Sequence, residues 1–126
     1  MSLNYSQVDL MPVGLKRTVA RSLEQRQGEE NAIRKEQIIS LCKQMGFSQE
    51  KNLSRKVRVA IHELRREGWL ICSSSSGAGY WLAANHHEAQ TFINEMRSRA
   101  ADISQTIRAL ERASGEQFQP QPIRMF

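Results

Sequence analysis

Six basic side chains crowd into residues 51–67: Lys51, Arg55, Lys56, Arg58, Arg65 and Arg66, opposed only by Glu63 and Glu67. The whole chain carries a net charge of +5, so nearly all of its surplus sits in this one stretch. An even spread of charge would imply little beyond solubility. A local concentration is the footprint of a protein that neutralises a phosphate backbone along a defined surface. Guanidinium groups add a second capacity, because their fork of N–H donors fits the major-groove edge of guanine as well as a phosphate. Ser54, Val59 and His62 stand among these charges.

Catalytic chemistry finds no comparable support. His62 lies in the basic stretch and His86 and His87 are neighbours, but no carboxylate or cysteine is spaced to build a nucleophile or a metal site around them. Adjacent residues on a helix face different ways, which argues against joint metal binding by the histidine pair. Cys42 and Cys72 show neither knuckle spacing nor a repeat, and two buried thiols are expected. The chain is therefore expected to be no enzyme, with no catalytic residue, no metal and no cofactor.

The basic residues need an element to hold them. Val57, Ala60, Ile61 and Leu64 recur at helical spacing and predict a helix over residues 54–67, with Ser54 as N-cap and Gly68 as the stop. Burying that stripe leaves Arg55, Lys56, Arg58, Val59, His62 and Arg66 outside. Residues 69–73 and 79–83 are rich in aromatic and branched side chains on either side of Ser74-Ser75-Ser76-Gly77-Ala78, which predicts a two-stranded hairpin with a serine and glycine tip. Upstream, Ile38, Leu41, Cys42 and Met45 predict a scaffold helix from Lys35 that Gly46 ends; Phe47 should then enter the core, and Ser48 should cap a very short helix through Lys51. Asn31-Ala32-Ile33 is either an extended segment paired with the hairpin or the first turn of the scaffold helix.

A basic helix followed at once by a hairpin resembles the winged helix-turn-helix family, and within it the small proteins of phages, prophages and bacterial genomes. The residues that carry the likeness are Gly28-Glu29-Glu30-Asn31-Ala32-Ile33, Val57-Arg58, Ile61-His62-Glu63-Leu64-Arg65, Gly68 and Gly79-Tyr80-Trp81-Leu82, within a span of about Gly28 to Ala113. The implied fold is mainly α with a small β-hairpin wing (α+β), and the implied function is sequence-specific binding of double-stranded DNA. The implied role is that of a homodimeric transcription regulator. The rival role is a phage or mobile-element replication or packaging accessory that holds an origin or a protein. On a recognition helix, Arg58 would read a base, Arg55 would serve base and phosphate, and Val59 would meet a thymine methyl. Lys51, Ser54 and Lys56 would clamp phosphates, with His62 one turn further in and Arg66 near the backbone or a glutamate. The hairpin carries no lysine or arginine between Trp69 and Ala84, so Ser74 and Ser75 could offer only hydroxyl contacts to phosphate.

The remainder divides into an N-terminal extension (residues 1–27) with one helix expected over 15–23, the winged domain (28–84), a long helix (85–113) and a flexible tail (114–126). Asn85 and Glu88 form a capping pattern for the long helix. Beyond it Ala89, Ile93, Met96, Ala100, Ile103, Ile107 and Leu110 alternate steps of four and three. That is the narrow seam of a coiled coil. Its partner is either the same helix of a second subunit, joined through Ile93, Met96, Ala100, Ile103, Ile107 and Leu110, or residues 15–23 of its own chain. The tail ends in Ile123-Arg124-Met125-Phe126, apolar enough to serve as a docking peptide for a protein partner or to tuck against the dimer. With no long apolar run and no secretory leader, the chain is expected to be cytoplasmic, associated with the nucleoid of a bacterial or phage-infected cell, and without a membrane partner.

Overall fold

The computed structural model describes residues 5–74 and 76–118. Among these, the chain is mainly helical, with a small two-stranded antiparallel sheet. A 3-10 turn (Tyr5–Leu10) precedes α1 (Leu15–Leu23), and a second (Glu29–Asn31) precedes α2 (Lys35–Cys42). A π turn (Lys43–Phe47) leads to α3 (Leu53–Arg66), then β1 (Ile71–Ser73), β2 (Tyr80–Leu82) and α4 (His86–Gln117). The chain falls into two units, one ending at Phe92 and the other beginning at Ile93.

Within the first unit, Val19, Ala20 and Leu23 of α1 are fully buried and join Ile38 and Cys42 of α2 and Val57, Ile61 and Leu64 of α3 in one core. A single buried leucine of this kind stabilises the fold by about 1.5–3 kcal/mol. The first 27 residues, set apart in the sequence as an extension, thus supply part of the core. Asp9 of the first 3-10 turn pairs with Arg21 of α1, which also bonds Glu24 at 2.9 Å. The hydrogen bond and charge of Arg21 hold the Asp9 carboxyl below its ordinary range.

The scaffold helix departs from its expected stripe. Ile38 and Cys42 are buried, but Leu41 and Met45 are exposed, Met45 by 67%. For Met45 the reason is the π turn, in which Gly46 takes φ 105°; Leu41, within α2, borders the buried line of Ile38 and Cys42 and is 37% exposed. Where hydrogen bonds step from i to i+5, the turn widens, and the inward side returns from Cys42 to Phe47 and skips Met45. Phe47 accordingly packs against the core while half-buried. Residues 48–52 form turns without a helix, and α3 starts after Asn52, whose φ of 56° makes it the one described non-glycine residue in the left-handed region. The helix therefore runs one residue earlier than expected at each end, and Ser54 lies inside it.

The hairpin pairs Ile71 with Leu82, Cys72 with Trp81 and Ser73 with Tyr80. The other edge of β2 is also occupied, and Ile33 turns out to be the extended segment. Its N–H donates to the Tyr80 carbonyl at 2.8 Å and its carbonyl accepts from the Tyr80 N–H at 2.8 Å. Two residues on, the Leu82 carbonyl accepts from the Gly28 N–H at 2.8 Å and the Leu82 N–H donates to Arg26 at 2.7 Å. Trp81, on the opposite face, packs with Cys72, Ala83, Ala89 and Phe92 in a second cluster.

At the head of α4 the capping pattern is present: the Glu88 N–H donates to Asn85 Oδ1 at 2.9 Å, and Glu88 Oε1 accepts from Trp81 Nε1 at 2.5 Å. Helical structure continues through Gly115 to Gln117, past the expected end at Ala113. The apolar end of the tail, residues 123–126, lies outside the described residues. Both cysteines are buried thiols outside any disulfide, and burial pushes the Cys42 thiol above its ordinary value. No helix among the described residues is long and apolar enough to cross a membrane.

Gly79 has φ 105°, and a Cβ there would stand 2.2 Å from the Ile33 carbonyl oxygen. Gly77 has φ 87° with open space around it. Gly79→Ala is therefore expected to cost about 2–3 kcal/mol and Gly77→Ala about 1–2 kcal/mol, the shared part being the left-handed backbone and the excess the collision with Ile33. Urea unfolding midpoints of the two variants beside the parent chain measure the difference.

Candidate nucleic-acid interface

α3 is sorted by helical position. Leu53, Val57, Ala60, Ile61 and Leu64 are buried, whereas Arg55, Arg58, Val59, His62 and Arg66 are all exposed. The exposed five are spaced 3, 1, 3 and 4 apart, which aligns them along one side opposite the buried stripe. Among the described residues no carboxylate lies within ion-pair distance of Arg55, Arg58 or Arg66. The stripe is basic, free of acid and available to solvent for its full length.

The acids of this region are held to one flank. Lys16, near the start of α1, pairs with Glu67 and lies 3.8 Å from Glu63. Lys16 thereby offsets both carboxylates of α3, a role that spacing alone could not reveal because it depends on α1 packing beside α3. Lys56 pairs with Glu50 in the preceding turn. A concavity of ≈ 400 Å³ opens between the start of α1 and α3, lined by Lys16, Asn52, Arg55, Lys56, Val59 and Glu63 among others. Exposed pairs of this kind contribute about 0–1 kcal/mol, so either lysine can exchange its carboxylate for a stronger anion at small cost.

The remaining candidates are less tightly grouped. Lys51 is exposed in the turn before α3, and Ser54 is half-buried in its first turn. Ser74 is half-buried, and its hydroxyl accepts from the Ser76 N–H at 3.0 Å while also bonding the Ser76 hydroxyl, so it is engaged within the hairpin tip. Ser75 lies outside the described residues.

Arg65 has a different assignment from its neighbours. Its Nε donates to the Ile71 carbonyl at 2.8 Å and its Nη2 to the Ser73 hydroxyl at 3.3 Å. The guanidinium also stands 4.9 Å from the centre of the Phe92 ring. It therefore ties the end of α3 to β1 and to the first turns of α4. Its sequence signal is faint: on a helical projection it falls on the border between the buried stripe and the basic one. Phe92, outside the heptad seam, carried no signal of this contact.

Among the described residues no group of three or more histidine, cysteine or acidic side chains gathers as a metal site would. Compared with protein-family models, curated proteins and solved structures, the chain matches none.

The two kinds of arginine predict different losses. Arg65→Gln should lower stability by about 1–2 kcal/mol, through its backbone hydrogen bond and ring contact. Arg58→Gln, on an exposed face, should stay within about 0.5 kcal/mol of the parent. Thermal melts of the pair followed by circular dichroism make the comparison.

Proposed function

We propose that the unit ending at Phe92 is a winged helix-turn-helix module that binds double-stranded DNA, with α3 as the recognition helix and the β1–β2 hairpin as the wing. The order of helices, the pairing of Ile33 with the hairpin and the position of α3 support that fold. The observation that carries the function is the acid-free stripe of Arg55, Arg58, Val59, His62 and Arg66, set directly opposite the buried face of its own helix. A structural surface helix ordinarily intersperses both signs along its exposed side. This one displaces its glutamates to the flank, where Lys16 meets them.

An α-helix fits the B-DNA major groove, and its N-terminal turns approach the bases most closely. Arg58 reads a base, most naturally the O6/N7 edge of guanine, and Arg55 serves base and phosphate. Val59 faces a thymine methyl, and His62 follows one turn later. Lys51, Ser54 and Lys56 hold the backbone, and Arg66 reaches it at the far end. The wing, which has no basic side chain, touches phosphate through its hydroxyls and amides and reads no sequence. The protein acts as a homodimeric transcription regulator, joined through the exposed seam of α4, because one module with a handful of phosphate contacts binds weakly at physiological salt.

Selection of bound fragments from a random duplex pool identifies the site, and fluorescence anisotropy on that site tests the residues. Arg55→Glu and Arg58→Glu should each weaken binding about tenfold to a hundredfold and flatten its dependence on salt. Lys51→Gln should weaken all duplexes alike, reducing the salt slope by about one. Arg108→Glu, an equal change of charge on the distal part of α4, should leave affinity within about twofold. Unchanged affinity and salt sensitivity in the Arg55 and Arg58 variants would reject DNA binding by this helix.

A further inference from the structure

From Ile93 onward α4 carries an apolar seam that the described residues leave exposed. Ile93, Met96, Ile103, Ile107 and Leu110 are all exposed, Ile103 by 61% and Leu110 by 65%. Ala100 completes the 3-4 alternation. The seam holds two apolar residues per heptad, the width that matches one further helix of the same kind. Ala89, which continues the same spacing toward the N-terminus, is buried with Trp81 and Phe92, so the seam available to a partner begins at Ile93.

Two features specify how that partner lies. Arg97 and Arg99 flank Ala100 on the two sides of the seam, and neither is ion-paired among the described residues. If two copies ran parallel, both arginines of each would meet at one level, four guanidiniums around a single layer. Ala100 would also face Ala100 there, leaving a thin layer beside one in which two Ile103 side chains collide. Reversing one helix removes both faults. Ile93 then lies opposite the partner's Leu110, Met96 opposite the partner's Ile107, and Ala100 opposite the partner's Ile103. Every layer pairs an a position with a d position and contains at least one large side chain. In the same register Arg97 falls beside the partner's Ser104 and Arg99 beside the partner's Thr106, which are uncharged. Sliding by a heptad in either direction would leave one end of the seam uncovered.

We propose that residues 93–110 pair with the same segment of a second copy in an antiparallel two-stranded coiled coil, with its twofold axis between Ala101 and Asp102. This deepens the homodimer named above and rests on that reading for its function, though not for its geometry. The arrangement sets the two Ile93 residues, where the seam begins, about 26 Å apart along the rod at 1.5 Å per residue.

The test places one spin label on the outward side of the helix in the full chain, at Ser98→Cys or at Arg112→Cys, with the unmodified chain checked to show that the buried Cys42 and Cys72 stay unlabelled. Antiparallel pairing separates the Ser98 labels by about 10 Å along the rod and the Arg112 labels by about 31 Å. Pulsed dipolar spectroscopy should therefore report a clearly longer distance for Arg112→Cys than for Ser98→Cys. Equal distances at the two sites would mean parallel helices, and absence of any dipolar coupling together with a monomer in sedimentation equilibrium would mean no pairing; either overturns the proposal. Ile103→Asp should dissociate the dimer, and a variant that remains dimeric also counts against the seam. Duplex affinity measured on the labelled samples separates the two readings, since antiparallel distances without duplex binding would uphold the pairing while rejecting DNA recognition.

Discussion

The fold of the first unit depends on β2 having backbone partners on both edges. A strand of three residues paired only with β1 would be a marginal hairpin in water. Here Tyr80 and Leu82 each complete their hydrogen bonds on the far side, Tyr80 with Ile33 and Leu82 with Arg26 and Gly28. These bonds pin the connection between α1 and α2 to the hairpin that follows α3. The ends of all three helices are thereby tied to one strand, and their apolar faces meet as a shared core. Gly79 makes the approach feasible, because any side chain at that point would occupy the space of the Ile33 carbonyl. Arg65 secures the same assembly from the other edge by holding the β1 carbonyl of Ile71.

That scaffold lets α3 separate its charges by role. Within the helix itself Glu63 meets an opposite charge at helical spacing only in Arg66, three residues on, while its i to i+4 neighbour Glu67 is a like charge. Tertiary structure supplies other partners. Lys16 on α1 draws Glu63 and Glu67 to one flank, Arg65 is committed to the strand and Phe92, and Lys56 leans toward Glu50. What remains along the outermost line is cationic. The positive stripe results as much from where the neighbouring elements place opposing charge as from the composition of the helix.

Elements whose evidence is local were legible in the sequence. The inward stripe of α3, the hairpin around its serine and glycine tip, and the Asn85 and Glu88 cap all depend on residues within a few positions of one another. Features that depend on distant contacts were not. The π turn after Cys42 changes the helical period, so a count made at 3.6 residues per turn put Met45 inside, while Phe47, expected in the core, takes the inward place. Ile33 could be assigned as a strand residue only once Tyr80 lay beside it. Helical projection sets Arg66 on the outer face and Arg65 at its border, but only the position of β1 and Phe92 makes Arg65 a brace. The candidate interface was thus readable as a set of residue types, while its division into exposed stripe, neutralised flank and structural tie required the fold.

The continuous helix α4 serves two purposes that sequence periodicity joins into one. Its first turns present Ala89 and Phe92 to Trp81, and Glu88 holds the indole N–H, so this end is a structural part of the first unit. From Ile93 the same spacing carries exposed apolar residues with no core of their own. A solitary helix of that length gains little from propensity alone in water, since most helical stability in proteins comes from packing an apolar face. An exposed seam of this kind is therefore incomplete as a single helix, and the proposed pairing with a second copy would supply what it lacks. The small residue at Ala100 and the arginines flanking it make the choice of partner orientation a matter of sterics and like-charge repulsion as well as of apolar area.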